Sequence, residues 1–386
     1  MRLTYLDNNA TTQPAPEVVA AMTDALTENW ANPSSAHRFG QRARQKVDIA
    51  REQLAALVGA DASDIWFAGG GTEAVNTNIR SLLAGRDTQH HPRKKIVTST
   101  VEHNATSELA KSLARDGYEI VQVPVDRNGE IDLGALIGAV DDDTALVSMM
   151  WANNETGVVF PIDQICAIAH GNGVPMHTDA TQAVGKIPVD FKAAGVDCAT
   201  FAPHKFHGPK GIGIGYAKKG LRLKPLLHGG PQERGRRGGT ENVPGIVGSG
   251  VAAALAKEHL VDIPRIKAMR DRLENELLKI EDTYVNGSRV HRTPNTSNIG
   301  FARLQSEAIL LLLSEQGVCA SAGAACSSGS LEPSHVMRAM KVPDEIAMGA
   351  IRFSLSRYTT DEDIDTALRV VPAAISRLRA VLPVGV

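Results

Sequence analysis

Several polar stretches of this chain carry residue types that perform chemistry in proteins, and each follows a short apolar run. Glycines follow "DIWFA", a histidine follows "KKIVTST", two asparagines follow "TALVSMMW", an aspartate closes "GVPMHTD", and a lysine between two histidines follows "VDCATFA". Short apolar runs bounded by turn signals are typical of buried strands. In open α/β sheets, ligands bind beyond the carboxyl ends of the strands. We therefore look for a site in these polar stretches.

The glycine-rich stretch at residues 69–74 precedes a helix-like pattern. Backbone N–H groups at a helix N-terminus bind phosphate, and glycine lets the ligand approach closely. The stretch also fits the G-x-G-x-x-A pattern of dinucleotide sites, which needs an acidic residue about 20 residues further on. The chain has the basic polar segment "LLAGRDTQHHPRKK" there. A phosphate cradle is therefore favoured over a dinucleotide site, and a plain structural turn stays open.

Three further residues each have a functional and a structural interpretation. Asp179 could be a metal ligand, a general base or the partner of a protonated ring nitrogen, or simply a helix N-cap. Lys205 is either a solvated loop charge or an amine that forms a Schiff base in a desolvated crevice. His103 could cap a helix, lie on a core face or stack on a planar ring. Each residue considered alone leaves both interpretations open.

Considered together, these parts indicate one ligand. A phosphate cradle, an acid for a ring nitrogen, an aromatic histidine and a Schiff-base lysine are what a pyridoxal 5′-phosphate site needs. The strand-end position of all four places them in the same crevice. The sequence therefore predicts pyridoxal 5′-phosphate as the cofactor, with Asp179 keeping its ring nitrogen protonated.

The elements that must position these residues follow from the apolar spacing. Helix-length segments such as "ATSELAKSLARDG" and "IDQICAIAHGNG" lie between the strand-like runs and end in glycine. This alternation predicts an α/β fold with a mostly parallel sheet. Near residue 259 the pattern changes to long amphipathic helices with a turn and strand between them. We predict a large cofactor-binding domain at 15–259 and a smaller α+β domain made of 1–14 and 260–386.

Composition limits the classes of function. Of the 386 residues, 43% are hydrophobic and 22% are charged, and the net charge is −2. A near-neutral chain has no global field to attract nucleic acid or an acidic membrane, and "QERGRRGG" is too short a basic run to change that. The start "MRLTYLDNNATT" lacks the apolar segment of a secretory signal, and the longest aliphatic run, "AILLLL", is too short to span a bilayer. A cytoplasmic location is expected.

The four cysteines show no C-x-x-C spacing, which argues against a zinc ribbon or a dithiol redox site. Cys166, Cys198 and Cys319 are predicted to be buried core thiols. Cys326 is different, because it lies in "SAGAACSSGS", a run of the smallest side chains. Such a run has little apolar surface to bury and much entropy to lose on ordering. A thiol on so loose a tether is the second candidate reactive group of the chain.

Ten segments distributed along the chain resemble the cysteine desulfurase family. They are "YLDNNATT", "NPSSAHRFG", "GGGTEAVN", "EHNA", "NNETG", "HTDATQAVGK", "HKFHGPKG", "RRGGTEN", "AACSSGSLEPSHVMRAM" and "IRFSLSRYT". The family has the fold-type I architecture of pyridoxal phosphate enzymes and forms homodimers. The cysteine segment is similar to that of the branch serving iron–sulfur assembly, and closer to its nitrogen-fixation (NifS-like) members than to its housekeeping (IscS-like) ones.

The resemblance implies how the cofactor would be held. Lys205 would bind it covalently as a Schiff base, Asp179 would pair with the pyridinium nitrogen, Gln182 would hydrogen-bond the ring hydroxyl oxygen, and His103 would stack on the ring and shuttle protons. The implied phosphate contacts are Gly71, Thr72, His204 and, from the other subunit, Thr240. Where the family usually has a phosphate-binding serine, three residues before the lysine, this chain has Ala202. One hydroxyl is thus missing, which would loosen the cofactor or move the bond to the backbone.

The resemblance also implies the reaction. Arg352 would bind the carboxylate of L-cysteine as a bidentate pair, with Asn154 contacting both substrate and cofactor. Cys326 would take the sulfur as a persulfide and leave L-alanine, its tether letting it enter the crevice and then deliver sulfur. No resident metal is implied, although Cys326 would transiently ligate a nascent iron–sulfur cluster. The implied partners are a second copy of the chain and an iron–sulfur scaffold or another sulfur acceptor.

Other functions compete with this one. The nearest is a class V aminotransferase or lyase on the same fold, in which Cys326 is incidental. A nucleotide-dependent oxidoreductase would use the glycine stretch, and a non-catalytic sulfur carrier would need only the thiol. Nucleic acid and membrane are excluded as partners by the charge and hydropathy. The identity of the sulfur acceptor is not encoded in any motif of the sequence.

Overall fold

The computed structural model describes residues 3–86, 93–322 and 332–381. The strands in chain order are β1 (Thr4–Tyr5), β2 (Ile65–Ala68), β3 (Lys95–Ser99), β4 (Glu119–Val123), β5 (Thr144–Met150), β6 (Met176–Asp179), β7 (Cys198–Phe201), β8 (Gly213–Ala217), β9 (Thr283–Val285), β10 (Thr296–Phe301), β11 (Val318–Cys319) and β12 (Ala350–Ser354). The helices are α1 (Pro16–Thr27), α2 (Arg38–Leu57), α3 (Gly71–Arg86), α4 (Asn104–Arg115), α5 (Leu133–Ala139), α6 (Ile162–Gly171), α7 (Gln232–Gly235), α8 (Val243–Glu258), α9 (Ile263–Leu277), α10 (Ser306–Glu315), α11 (His335–Ala339), α12 (Asp344–Ala347) and α13 (Asp361–Val381).

A seven-stranded sheet lies at the centre of the larger part of the chain, with strand order β2-β8-β7-β6-β5-β3-β4. Strands β4, β3, β5, β6 and β7 run parallel, while β8 is antiparallel to both of its neighbours. Every residue of β5 is buried, as a parallel strand covered on both faces requires. The predicted α/β fold with a mostly parallel sheet is therefore confirmed.

The helices that the sequence predicts between these strands are present. The segment "ATSELAKSLARDG" forms α4, and the chain leaves it through Gly117, which has a φ of 90°. The segment "IDQICAIAHGNG" forms α6, followed by Gly173 with a φ of 64°. Glycine ends helices in this way because it adopts positive φ without steric strain. After each of these helix ends the chain enters a parallel strand of the main sheet, β4 after α4 and β6 after α6.

A second, three-stranded antiparallel sheet, in the order β12-β10-β9, packs with α9, α10 and α13 around its own apolar cluster. Leu6 from the N-terminal segment belongs to this cluster, and β1 pairs in parallel with β11. Residues such as Val336 and Met337 contribute instead to the larger cluster under the main sheet. The division into 15–259 and 1–14 with 260–386 stays a prediction.

The cysteines differ partly from the expectation. Cys166 and Cys198 are buried, as predicted. The prediction of a buried core thiol is wrong for Cys319, which is half-buried. It lies on β11, a two-residue strand that pairs only with β1 among the described strands. Cys326 lies outside the described residues. Among the residues described, no helix has the length and apolar character needed to cross a lipid bilayer.

Candidate active site

A cavity of about 330 Å³ opens at the carboxyl edge of the main sheet. It is lined by nine of the residues singled out from the sequence, namely Gly71, Thr72, His103, Asn154, Asp179, Gln182, His204, Lys205 and Arg352. Thr240 does not line it and lies exposed in the segment before α8. Cys326 falls outside the described residues. The structure thus brings together most of the predicted site in one crevice.

Parallel strand direction explains this convergence. Asp179 is the last residue of β6, His103 follows β3, Asn154 follows β5, and Lys205 closes the short 3-10 turn after β7. Because β3, β5, β6 and β7 run in the same direction, their carboxyl ends meet at one edge. Residues up to about a hundred positions apart along the chain therefore share one wall of the cavity.

The predicted phosphate end of the cavity is the start of α3. Gly71 and Thr72 form its first turn, and the Ala74 N–H already bonds to Gly70 O at 3.1 Å. Gly213 on β8 packs directly against this turn, since a Cβ there would lie 2.2 Å from the carbonyl carbon of Gly70. Only glycine permits that approach. The unpaired N–H groups of a helix N-terminus at a cavity wall are suited to an anion.

Ala202 faces the same helix start. A Cβ built on Gly71 would lie 3.6 Å from the Ala202 Cβ, so the methyl group points at the first turn of α3. Ala202 is buried and lines the cavity. A hydroxyl at this position would therefore lie next to the anion site.

The variant Ala202→Ser is expected to bind pyridoxal 5′-phosphate about fivefold more tightly than the wild type, because one charge-assisted hydrogen bond is added. Titration of the apoprotein with the cofactor, followed by absorbance, measures this. The exposed Ala114→Ser on α4 is the matched control and should leave the affinity unchanged. Affinity equal to or below the wild-type value in Ala202→Ser would contradict this placement of the phosphate.

Lys205 is held by the N-terminal segment of the chain. Its Nζ donates to Asn9 O and to Ala10 O, both at 2.7 Å. The side chain is half-buried, and its backbone N–H bonds to Ala202 O at 3.1 Å. The amine is thus fixed at the cavity wall and is not directed into bulk solvent.

The ring end of the cavity carries an acid and an imidazole. Asp179 is 8% exposed, and its Oδ1 accepts from the Thr181 N–H at 3.0 Å. His103 caps α4, because its Nδ1 accepts from the Ala105 N–H at 3.1 Å, and it also lines the cavity. The structural and functional interpretations of His103 are therefore compatible. With Nδ1 accepting, the neutral ring carries its proton on Nε2.

Surrounding protein atoms lower the pKa of His103 below its usual value, mainly by desolvation. The charge of Asp179 opposes this shift, and the charge of Lys205 adds to it. The imidazole is therefore predominantly neutral near pH 7, which suits a group that must accept and return protons. Its stacking and shuttle roles stay predictions.

Sequence reasoning missed Asn9, which forms hydrogen bonds with several residues of the site. Its backbone oxygen accepts from Lys205 and, at 3.0 Å, from Gln182 Nε2. Its side-chain Nδ2 donates to Thr296 Oγ1 at 2.9 Å and to Asn154 O at 3.2 Å. Asn9 lies in the segment "YLDNNATT", which was noted for its resemblance to the family, but no role was predicted for Asn9.

Arg352 also lines the cavity and is 2% exposed. Its guanidinium donates to Asn154 O at 2.9 Å and to Asp7 Oδ1 at 2.7 Å. The backbone of Arg352 on β12 pairs with Ser321, whose carbonyl accepts from the Arg352 N–H at 2.7 Å. Ser321 is the first residue of the "SAGAACSSGS" segment, so this segment begins beside the cavity.

The chain also returns to the cavity after that segment. Ser334 Oγ donates to Glu155 Oε2 at 2.7 Å, and His335 Nε2 lies 3.0 Å from Glu102 O. Glu155 and His335 both line the cavity. Burial raises the pKa of Glu155 and raises that of Glu102 to about 8. Both described ends of the segment that contains Cys326 are therefore attached to the cavity wall.

The charges around the cavity favour an anionic ligand. Lys205 and Arg352 line it, and Lys186 lies directly behind Gln182. Asp179 lies in the same wall. Asp7 already compensates Arg352 through a contact of 2.7 Å. A buried cation is costly unless an anion compensates it, and an anionic ligand would supply that compensation for Lys205.

Residues 4–367 match the aminotransferase class-V family. The chain is 52% identical to cysteine desulfurase 2 of Trichormus variabilis, over 99% of this chain and 96% of that protein. It is 47% identical to the cysteine desulfurase NifS of Azotobacter vinelandii, over 98% and 94%.

Solved structures agree with these relatives. A NifS-like protein superposes with a TM-score of 0.91 at 36% identity, covering 99% of this chain and 100% of that one. The structure of SspA in complex with cysteine gives a TM-score of 0.80 at 31% identity, covering 92% and 99%. Both likenesses extend over the main sheet and the second sheet alike.

The fold and the cavity define a fold-type I pyridoxal phosphate enzyme. Within that class, the chain belongs to the aminotransferase class-V family and to its cysteine desulfurases. The predicted fold, family and cofactor are thereby confirmed. The donor set also fits the cofactor, because an amine, an acid and a helix N-terminus line one cavity. The roles of the individual residues stay predictions.

Proposed function

We propose that this protein removes sulfur from L-cysteine, releases L-alanine and keeps the sulfur as a persulfide on Cys326. The observation that carries the proposal is the shared cavity of Lys205, Asp179 and Arg352, with Ser321 and Ser334 at its wall on either side of the Cys326 segment. The relatives named cysteine desulfurase, and the relative solved with cysteine, support the same substrate.

Each of three side chains has a separate role in the proposed reaction. Lys205 would hold the aldehyde of the cofactor, and Asp179 would keep the ring nitrogen protonated. Bound pyridoxal 5′-phosphate would supply an electron sink for the Cα of the substrate. The guanidinium of Arg352 would bind the substrate carboxylate, and the Lys205 amine would take the Cα proton.

Sulfur transfer needs the Cys326 thiolate. Its sulfur attacks the substrate Sγ, so that an S–S bond forms and the C–S bond breaks. The electron pair of that bond goes to the carbon skeleton, which takes up a proton and leaves as L-alanine. The sum is L-cysteine plus a thiol giving L-alanine plus a persulfide, with no external oxidant or reductant.

Product analysis tests this function. Purified protein loaded with cofactor should convert L-cysteine to L-alanine, with one persulfide per site in the absence of an acceptor and continuous sulfide release when a thiol reductant is present. A lyase would give pyruvate and ammonia, and an aminotransferase would give a keto acid and require an acceptor keto acid. Either product pattern would replace the desulfurase by the class V alternative.

We further propose a homodimer, completed by Thr240. This residue is exposed and lies outside the cavity of its own chain. It precedes α8, whose first residues are buried. A phosphate contact by Thr240 therefore fits a cavity of a second copy better than its own.

Mixed dimers distinguish these arrangements. Lys205→Ala and Thr240→Arg subunits should each bind cofactor poorly as pure dimers. When the two are combined, the Thr240→Arg subunit keeps its own Lys205 and receives Thr240 from its partner, so one site per dimer should recover cofactor binding and turnover. Recovery in the mixture supports a contact between subunits, whereas no recovery, or a monomer in sedimentation, would contradict it.

The persulfide sulfur is proposed to pass to an iron–sulfur scaffold or another acceptor protein, in the cytoplasm. Similarity to the nitrogen-fixation relative favours nitrogenase clusters among the destinations. Cys326 would ligate a nascent cluster only in passing. Transfer of labelled persulfide sulfur from Cys326 to purified scaffold proteins, compared with a non-cognate thiol protein, tests the acceptor.

A further inference from the structure

Lys186 is a half-buried lysine for which the site described so far has no role. It lies four residues after Gln182, in the turn segment that follows β6, and behind the cavity wall. Its Nζ donates to Asn9 Oδ1 at 2.8 Å and to Gln182 Oε1. These two contacts attach Lys186 to the residues that hold both Gln182 and Lys205.

The contacts of Lys186 set the orientation of the Gln182 amide. An ammonium can only donate hydrogen bonds, so it selects the oxygen of the amide. The amide nitrogen Nε2 then donates to Asn9 O at 3.0 Å, and a backbone oxygen can only accept. Both neighbours therefore require the same flip of Gln182. One of the two N–H donors goes to Asn9.

The charge of Lys186 also acts on Lys205. Both ammonium groups bond to the same residue, Lys186 to Asn9 Oδ1 and Lys205 to Asn9 O. Burial, together with the positive charges of Lys205 and Arg352, lowers the pKa of Lys186 well below its usual value. Electrostatic coupling is mutual, so each ammonium disfavours a proton on the other. An anionic cofactor in the cavity favours the charged form of Lys186.

We propose that Lys186 is a positioning residue of the cofactor site. Through Gln182 it directs an amide N–H at the phenolate oxygen of pyridoxal 5′-phosphate, and through its charge it disfavours a proton on Lys205 Nζ in the loaded enzyme. The inference rests on the proposed roles of Gln182 and Lys205. It adds a cation behind the cavity wall that lowers the pKa of Lys205 Nζ, in the way that a neighbouring cation activates an amine nucleophile.

Other ionisable groups lie around Lys186 and Lys205, and a test of Lys186 must leave these residues unmutated. They are Arg352 on β12, Asp179 on β6, His103 before α4, His204 beside Lys205, His207 after it, and His259 and Arg357 at the far side of Lys186. Burial lowers the pKa of His204 and His207 to about 4, so neither changes charge near neutral pH.

Lys186→Met removes the charge and the hydrogen bonds while keeping the length of the side chain. The visible absorbance of the loaded enzyme reports the proton on Lys205 Nζ. Its pH midpoint is expected to rise by about one unit, because a repulsive charge is lost. Cofactor affinity should fall about tenfold, and this loss should shrink to less than about twofold when Gln182 is already alanine, because the two residues act together.

Lys186→Arg keeps the charge and should retain a midpoint close to the wild-type value. The exposed Lys111→Met on α4 is the matched control and should change neither quantity. A midpoint in Lys186→Met equal to that of Lys111→Met would overturn the proposal, even if the variant were less stable. Should Lys186→Met fail to fold, Lys186→Gln gives the same comparison, and an unshifted midpoint there has the same consequence.

Failure of the proposed function would look different. Wild-type protein that bound no pyridoxal 5′-phosphate, or that gave no L-alanine from L-cysteine, would remove the basis for the roles of Gln182 and Lys205. A wild type that binds cofactor and releases L-alanine, together with unshifted Lys186 variants, would remove only the present inference.

Discussion

Lys205→Ala is expected to abolish desulfuration, with kcat reduced about 10³-fold or more, because the variant loses both the covalent attachment of the cofactor and the base for the Cα proton. The structure supports this size of effect, since Lys205 Nζ is held at the cavity wall by Asn9 O and Ala10 O. Alanine from L-cysteine, measured in single-turnover and steady-state experiments, gives the rate. Borohydride treatment followed by mass spectrometry reports whether any covalent adduct remains.

Two variants control this result. Lys205→Arg keeps the positive charge but cannot condense with an aldehyde, so it should be as inactive as Lys205→Ala. Lys192→Ala removes an exposed lysine that pairs with Asp61, and it should retain full activity. Persulfide formation by Lys205→Ala at a rate near that of the wild type would rule out catalysis by the cofactor and would favour a sulfur carrier.

Cys326→Ser is expected to stop alanine release from L-cysteine while leaving the yellow cofactor band in place. A serine hydroxyl is a far poorer nucleophile toward sulfur than a thiolate, so the C–S bond is not broken at a useful rate. The variant should still bind L-cysteine, seen as a spectral change of the cofactor on addition of substrate. Alanine, persulfide and absorbance are measured on the same sample.

Cys319→Ser is the matched control, because Cys319 is half-buried on β11 and burial raises the pKa of its thiol. It should retain both persulfide formation and alanine release. Full desulfurase activity in Cys326→Ser would make this cysteine incidental and favour the class V aminotransferase or lyase. Loss of activity in Cys319→Ser alone would move the sulfur-accepting role to the other thiol.

The site residues that were predictable lie directly after strands. Asp179 closes β6 and Lys205 follows β7, and in both cases a polar group interrupts an apolar run. A sheet with parallel strands brings such groups to one edge whatever the helices between them contain. This is why His103 could be assigned to the same cavity as Asp179 and Lys205 from local patterns, whereas Asn154 was named only through the family resemblance.

The residues that were missed make their contacts across long separations in the chain. Asn9 meets Lys205 across 196 positions, and Asp7 meets Arg352 across 345. No periodicity or spacing signals that the N-terminal segment lies between the two sheets. The partial exposure of Cys319 was missed for the same reason, because it depends on β11 having β1 as its one neighbour among the strands that the structure describes.

The order of apolar runs and polar stretches was enough to determine the class of the fold and the cofactor, because hydrophobic periodicity and strand-end chemistry are local properties of a chain. The family followed from the resemblance of ten short segments to cysteine desulfurases. The tertiary structure alone decided how the groups act on one another. Packing brings Asn9 between Lys186 and Lys205, and it attaches Ser321 and Ser334 to one wall. Hydrogen bonds and charge coupling depend on distance in space, which only the folded chain defines.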